Sequence, residues 1–125
     1  MNTKLVMGGS ALVLAAAGLA ATFAPDEIAS YLGIASVGTA ILIQLAGAAW
    51  IAFAMVNWMA KDSLIGGIYN RPVAIGNLVH FTVGALAVIK RMTAGHQAAA
   101  FCVAAVVYAV FAIAFGWIVF RKTGA

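Results

Sequence analysis

Four long apolar runs, separated by short polar connections, dominate the pattern along this chain. They cover residues 5–23, 37–60, 73–89 and 98–120. Each run reaches or approaches the roughly 20 residues that a helix needs to cross about 30 Å of hydrocarbon. Backbone polar groups must be paired inside lipid, and no run alternates like a strand, so these runs predict transmembrane helices. The expected fold is all-α, a four-helix transmembrane bundle with antiparallel up-down helices, forming one integral membrane domain over residues 1–125.

The connections carry the residues that begin helices. Pro25 is followed by two acidic residues, and both residue types favour the first turn of a helix. A short helix lying in the membrane interface is therefore expected over about residues 25–32. Asn70 is a candidate N-cap for the third span, with Pro72 in its first turn.

Composition also places the chain in lipid. Hydrophobic residues make up 66% of it and charged residues 8%, and the mean hydropathy is +1.09, whereas soluble domains are near half apolar and a quarter charged. The net charge of +4 comes from basic residues at the ends of apolar runs. That placement suits membrane lipids, and no basic stripe with interleaved aromatic residues is present, so nucleic acid is excluded as a partner. Cys102 is the one cysteine, which excludes an intramolecular disulfide and a thiol redox pair.

The basic residues predict the orientation in the membrane. If the N-terminus is inside, five of the seven basic residues face the cytoplasm and two, Lys90 and Arg91, face outside. Both termini are then cytoplasmic. Trp58, Tyr69 and Trp117 would lie near the inner headgroups. The five inner basic residues are Lys4, Lys61, Arg71, Arg121 and Lys122.

Small residues recur at helical spacing in three of the runs, as expected where helices pack closely in lipid. Their steps of three and four residues predict heptad-like seams and left-handed packing. The larger residues Phe101, Phe111, Phe115 and Val119 fall mostly away from the seam of the fourth run. The seams are Gly8, Ala11, Ala15, Gly18 and Thr22 in the first run, Gly76, His80, Gly84 and Ala87 in the third, and Ala98, Cys102, Ala105, Ala109, Ala112 and Gly116 in the fourth.

Four strongly polar side chains lie within the runs, namely Gln44, Asn57, Asn77 and His80. No acidic side chain accompanies them, which argues against a proton-coupled pump or multidrug antiporter. Gln44 is expected to form an interhelical hydrogen bond. Asn57 is expected to anchor the inner end of the second span at the interface, together with Trp58.

His80 lies near the middle of the third run, and two interpretations of it stay open. A neutral imidazole can pair across the bundle and hold helices together. Alternatively, an ionisable group at membrane depth can mark a ligand site. Asn77 lies one turn away on the same face, so the two could offer a donor and an acceptor to a carbonyl-bearing molecule such as a quinone. Gln44 is a third candidate for this polar pocket.

Other ligands find less support in the sequence. His96 is the only other histidine and falls in an outer loop, so one chain cannot sandwich a haem at His80. No second ligand has metal-binding spacing relative to His80, and no metal is expected. Lys61, Arg71 and Trp58 are candidates for binding a lipid headgroup. No cofactor is therefore expected, with quinone or lipid left open.

Three short stretches of the chain carry a resemblance to a known family of membrane proteins. The first helix leads into the stretch from Ala24 to Ile34, the second carries residues 44–48 and closes on Asn57 and Trp58, and the third carries Gly-Asn-x-x-His over residues 76–80. This order resembles the DoxX-like superfamily of small four-helix bacterial membrane proteins. The resemblance covers nearly the whole chain and implies a four-helix fold in a bacterial inner membrane. It also implies, by analogy with one branch, a subunit of a quinone-linked oxidoreductase.

The expected function is that of a small non-catalytic integral membrane protein. It would be an accessory or assembly subunit of a membrane complex, or a small binder of a lipid or quinone, because no nucleophile–base pair, phosphate loop or carboxylate pair is present. The alternative is a small oligomeric channel or transporter with Asn77 and His80 lining the path. Four helices leave bare faces, so a homo-oligomer or a larger complex is expected.

Overall fold

The structure is a computed structural model that describes residues 2–63, 70–95 and 99–121. Over these residues the chain forms five helices and no strand. Four of the helices are long and apolar enough to cross a membrane. The all-α class is confirmed, and the protein is a multi-pass membrane protein. The helices are α1 (Thr3–Phe23), α2 (Pro25–Tyr31), α3 (Val37–Ala60), α4 (Arg71–Thr93) and α5 (Ala99–Phe120), of which α1, α3, α4 and α5 are the four long ones.

The chain divides into two compact units. The α1–α3 unit is Met7–Lys61, and the α4–α5 unit is Met1–Val6 with Asp62–Ala125. The expectation of a single domain stays a prediction. Some residues named in the sequence analysis lie outside the described residues, namely Tyr69, His96, Ala98 and Lys122.

The observed helix bounds follow the apolar runs, except in the third span. α4 is 23 residues long and extends beyond the predicted residues 73–89 at both ends, so it measures about 34 Å at 1.5 Å per residue. Its last turn contains Lys90 and Arg91. Cations favour the negative end of the helix dipole, and their long side chains can reach water from a helix end. The third span is therefore longer than α1 and α5 and one residue shorter than α3.

Local signals begin and end the shorter segments. Pro25 begins α2, as predicted. Gly33 follows α2 with a φ of 73°, a left-handed conformation that glycine adopts without steric cost. Ser36 caps α3, because its hydroxyl accepts a hydrogen bond from the Thr39 backbone nitrogen at 3.0 Å. Asn70 occupies the N-cap position of α4, as predicted, although its side chain makes no capping hydrogen bond.

Two glycines bring α1 and α3 into backbone contact within the α1–α3 unit. A Cβ atom added to Gly18 would lie 2.9 Å from the carbonyl oxygen of Gly47, and one added to Gly47 would lie 2.9 Å from the carbonyl oxygen of Gly18. Thr22 of α1 lies at the same contact, since a Cβ atom added to Gly47 would lie 2.8 Å from its hydroxyl oxygen. That hydroxyl donates to the Gly18 carbonyl oxygen of its own helix at 2.8 Å. The predicted seam of the first span therefore contains a close approach of the α1 and α3 backbones.

Aromatic rings fill the space between α4 and α5 in the α4–α5 unit. Phe81 lies at their centre and is fully buried. Its ring centroid is 5.0 Å from that of His80, 4.9 Å from that of Tyr108, 5.1 Å from that of Phe111 and 5.7 Å from that of Phe115. Tilted, edge-on and offset aromatic contacts at these separations are favourable. These five rings are called the aromatic cluster below.

The aromatic cluster shows that the predicted seam of the fourth span covers only part of the buried face, since Ala105 of that seam is buried but larger residues outside it are buried as well. Phe115 and Val119, expected away from the seam, are buried, and Phe111 packs against Phe81. Cys102, assigned to the seam, is exposed. The physical reason is that alanines lie on several faces of this alanine-rich helix, whereas a large ring gains dispersion contacts wherever the opposite helix leaves room.

Candidate functional site

The polar pair of the α4–α5 unit joins His80 of α4 to Tyr108 of α5. His80 Nε2 lies 3.0 Å from the Tyr108 hydroxyl oxygen, and both side chains are half-buried. The direction of donation depends on the imidazole tautomer, because either nitrogen can carry the proton. The hydrogen bond crosses between two membrane-length helices of the same chain, so it matches the interpretation of His80 as a group that holds helices together.

Gly84 makes room for this pair. It lies one turn beyond His80 on α4, and a Cβ atom added there would overlap the Tyr108 ring. Any side chain at position 84 would therefore displace the phenol. Gly84 belongs to the seam predicted for the third span, and its role is to accept a ring rather than a second helix backbone.

Asn77 is fully buried on the same helix. Its amide nitrogen donates to the Val73 carbonyl oxygen, one turn earlier in α4, at 2.9 Å. That bond directs the Asn77 donor back to its own backbone, whereas His80 reaches across to Tyr108. A shared pocket for a carbonyl-bearing ligand at Asn77 and His80 stays a prediction.

Replacing Tyr108 with phenylalanine is expected to lower the free energy of unfolding by about 1 kcal/mol, since it removes one interhelical hydrogen bond and keeps the ring. The measurement is unfolding by sodium dodecyl sulfate from a mild detergent, followed by circular dichroism. Tyr31→Phe is the matched control, because Tyr31 is exposed. A double-mutant cycle with His80→Phe isolates the pair, and a coupling energy near zero would contradict the observed geometry.

The α1–α3 unit carries the other two polar residues of the predicted set. Gln44 Nε2 donates to the Thr22 carbonyl oxygen at 3.4 Å, which confirms the predicted interhelical bond. Asn57 is fully buried and donates to the Ser10 hydroxyl at 3.0 Å. Ser10 in turn donates to the Met7 carbonyl oxygen at 2.9 Å. Asn57 was predicted to be an interfacial anchor, and this prediction is wrong because α1 supplies a buried hydroxyl that accepts from its amide.

Charged and aromatic side chains meet at the ends of the spans. In the α1–α3 unit, Lys61 Nζ lies 4.2 Å from the centroid of the Trp58 ring. In the α4–α5 unit, Arg121 Nη2 donates to the Thr3 hydroxyl at 2.8 Å, and its guanidinium lies over Trp117, 4.6 Å from the ring centroid. These are the positions that suit interfacial anchors.

The α4–α5 unit also carries one predicted headgroup candidate and one exposed ion pair. Arg71 is exposed in the first turn of α4, which leaves its guanidinium accessible to a headgroup. Lys4 and Asp62 form an ion pair at 2.8 Å, and their side chains are 61% and 62% exposed. An ion pair this exposed contributes little to stability.

Comparisons with known proteins identify no relative, so any functional conclusion rests on the fold and the site. No family model matches the chain, and it matches no curated protein and no solved structure. Within residues 2–63, 70–95 and 99–121, no three His, Cys, Asp or Glu side chains lie close enough together to hold a metal ion. The four membrane-length helices define the class, a small multi-pass integral membrane protein.

The sequence analysis does not identify two hydrogen-bond partners, Tyr108 of His80 and Ser10 of Asn57. Both carry hydroxyl groups, which are weaker membrane signals than an amide or an imidazole, so neither stood out among apolar neighbours. One sequence feature could have indicated Tyr108. The glycine stripe on the third span leaves room for a large polar ring from the span that follows it. No comparable pattern marks Ser10 as the partner of Asn57.

Proposed function

We propose that this protein is a small non-catalytic integral membrane protein that works by binding within the membrane. It serves as an accessory or assembly subunit of a larger membrane complex, or as a small binder of a lipid or quinone. The four spans support a membrane role, and the hydrogen bonds that their polar side chains make within the chain favour a structural use of these groups over catalysis or conduction.

The observation that carries this proposal is that the polar side chains of the spans bond inside the chain. His80 pairs with Tyr108, Asn57 pairs with Ser10, and Gln44 reaches the Thr22 backbone. Side chains engaged in this way stabilise helix pairs. A conducting path would instead use such groups to replace the hydration shell of a passing ion, and a catalytic site would use them on a substrate.

The resemblance to the DoxX-like superfamily supports the same proposal, because one branch of it supplies a subunit of a quinone-linked oxidoreductase. Size supports it as well, since large side chains face outward on all four long helices, among them Leu12, Leu42, Val83 and Ile113, each more than 59% exposed. Lipid can cover these faces, and so can other helices. We propose a homo-oligomer or a larger complex as the working state.

The proposed setting is a bacterial inner membrane with both termini in the cytoplasm. The support is the distribution of basic residues at the span ends. If the four long helices cross the membrane in turn, the start of α1, the end of α3, the start of α4 and the end of α5 share one side. These ends carry five of the seven basic residues, and the positive-inside bias then places that side in the cytoplasm.

Gentle isolation from native membrane tests the proposal. We expect the wild-type protein to come out with other protein chains or with a bound small molecule, identified by mass spectrometry. Reconstituted into liposomes, it is expected to conduct no more than empty liposomes. His80→Ala is carried through the same steps. If the wild type comes out alone, without ligand, and conducts ions while His80→Ala does not, the protein is a channel and the proposal is wrong.

A further inference from the structure

An apolar groove follows the surface of the α1–α3 unit where α1 and α3 meet. Its volume is about 170 Å³. Ala11 and Ala54 lie deep in it and are buried, whereas the larger Leu12 and Met55 are 64% and 56% exposed. The small buried residues form the floor of a narrow groove, and the larger exposed residues form its sides. The lining residues are Ala11, Leu12, Ala15, Ala54, Met55 and Trp58.

A cation marks one end of the groove. Trp58 belongs to the lining, and Lys61 Nζ lies 4.2 Å from the centroid of its ring. The Lys61 stem passes Gly8 of α1, where an added Cβ atom would lie 4.0 Å from Lys61 Cδ. Lys61 directly follows the last residue of α3, so its ammonium lies at the level where a span ends and headgroups begin. Tryptophan rings favour the same level.

We propose that this groove binds an anionic phospholipid, with one acyl chain along the alanines and the headgroup phosphate at Lys61. The lining side chains are apolar or aromatic, and the Lys61 ammonium lies over the Trp58 ring at one end of the lining. An anionic lipid has the complementary parts, an apolar tail and a negatively charged headgroup. A zwitterionic lipid offers the same chain and phosphate without net negative charge. One lysine near a membrane surface contributes about 1 kcal/mol to binding anionic lipid, which corresponds to about a fivefold preference.

This inference rests on the proposed function, because it assumes that the chain works by binding within the membrane. It adds the class of lipid that is bound. The two can fail separately. Conduction that depends on His80 would overturn the proposed function and leave the lipid site intact. Absence of lipid preference would overturn the lipid site and leave a subunit role intact.

Native mass spectrometry of the full chain tests the lipid site. The protein is reconstituted in vesicles of equal parts phosphatidylglycerol and phosphatidylcholine, extracted in mild detergent, and its retained lipids are counted. We expect one retained phosphatidylglycerol, favoured about fivefold over phosphatidylcholine. Lys61→Gln is expected to remove the preference, and Ala15→Leu, which fills the groove, is expected to remove retention of both lipids.

Two control variants distinguish loss of the lipid site from the general effects of removing a charge or adding bulk. Lys90→Gln removes an exposed basic charge from α4, and Ala16→Leu adds the same bulk to an exposed position beside Ala15. Both are expected to behave like wild type. Lys61→Gln keeps the shape of the groove, so the test holds even if Ala15→Leu fails to fold. Equal retention of the two lipids by wild type, or equal behaviour of Lys61→Gln and Lys90→Gln, would overturn the proposal. The proposal would also be overturned if Ala15→Leu kept its lipid but no longer associated with a second copy of the chain. The groove would then be a contact for a helix of that copy.

Discussion

Replacing Gly47 with leucine is expected to lower the free energy of unfolding by more than about 3 kcal/mol, which exceeds the typical range of about 1–3 kcal/mol for overpacked sites. A Cβ atom at position 47 would lie 2.9 Å from the Gly18 carbonyl oxygen and 2.8 Å from the Thr22 hydroxyl oxygen. Backbone cannot yield as a flexible side-chain end can, so α1 and α3 must move apart. Gly47→Ala is expected to cost about 1–3 kcal/mol for the same reason. Unfolding by sodium dodecyl sulfate, followed by circular dichroism, measures both.

Gly38 provides the control for this prediction on the same helix. It is exposed, and a Cβ atom added to it would meet no atom within 4 Å. Gly38→Ala and Gly38→Leu are expected to cause no loss of stability. If leucine at positions 38 and 47 has the same effect, the close approach of α1 and α3 is not what holds this unit together.

Replacing Phe81 with alanine is expected to lower the free energy of unfolding by about 3 kcal/mol, the lower end of the range for truncating a buried phenylalanine. Phe81 is fully buried, and its ring contacts those of His80, Tyr108, Phe111 and Phe115. Lipid supplies no hydrophobic driving force, so the loss arises from dispersion contacts and from the cavity that remains. The measurement is the same detergent unfolding series.

Phe120→Ala is the matched control for Phe81→Ala. Phe120 has the same side chain at the end of α5 and is 80% exposed, so its truncation is expected to change stability by less than about 0.5 kcal/mol. Losses of similar size at positions 81 and 120 would show that the aromatic cluster does not determine the stability of the α4–α5 unit.

The polar residues of the site could be predicted from the sequence, but most of their hydrogen-bond partners could not. Gln44, Asn57 and His80 were recognised because amides and imidazoles inside apolar runs must find partners. The partner of each depended on which helix faces meet, and that is not encoded near the residue itself. Asn57 was therefore assigned to the interface, whereas Ser10 accepts its hydrogen bond inside the α1–α3 unit. Tyr108 was missed as the partner of His80 for the same reason.

The buried face of α5 shows the same limit for packing. Its sequence carries small residues on one stripe and phenylalanines on others, and the small stripe predicts the contact face. Phe115 is fully buried because it lies flat against Phe81 of α4, with 7° between the two ring planes. The choice between these stripes depended on the ring that α4 presents, a residue distant in the chain.

The sequence by itself determined the number of spans, their bounds to within a few residues and the lipid environment. These are local properties, since an unpaired backbone group in lipid is costly wherever it occurs, and a run of apolar residues long enough to cross must form a helix. Only the tertiary structure decided which side of each helix meets protein. Lipid tails are as apolar as leucine, so burial gives no free energy that separates one apolar face from another. The choice is left to shape, to the gap at Gly84 that holds the Tyr108 ring and to the contact between Gly18 and Gly47.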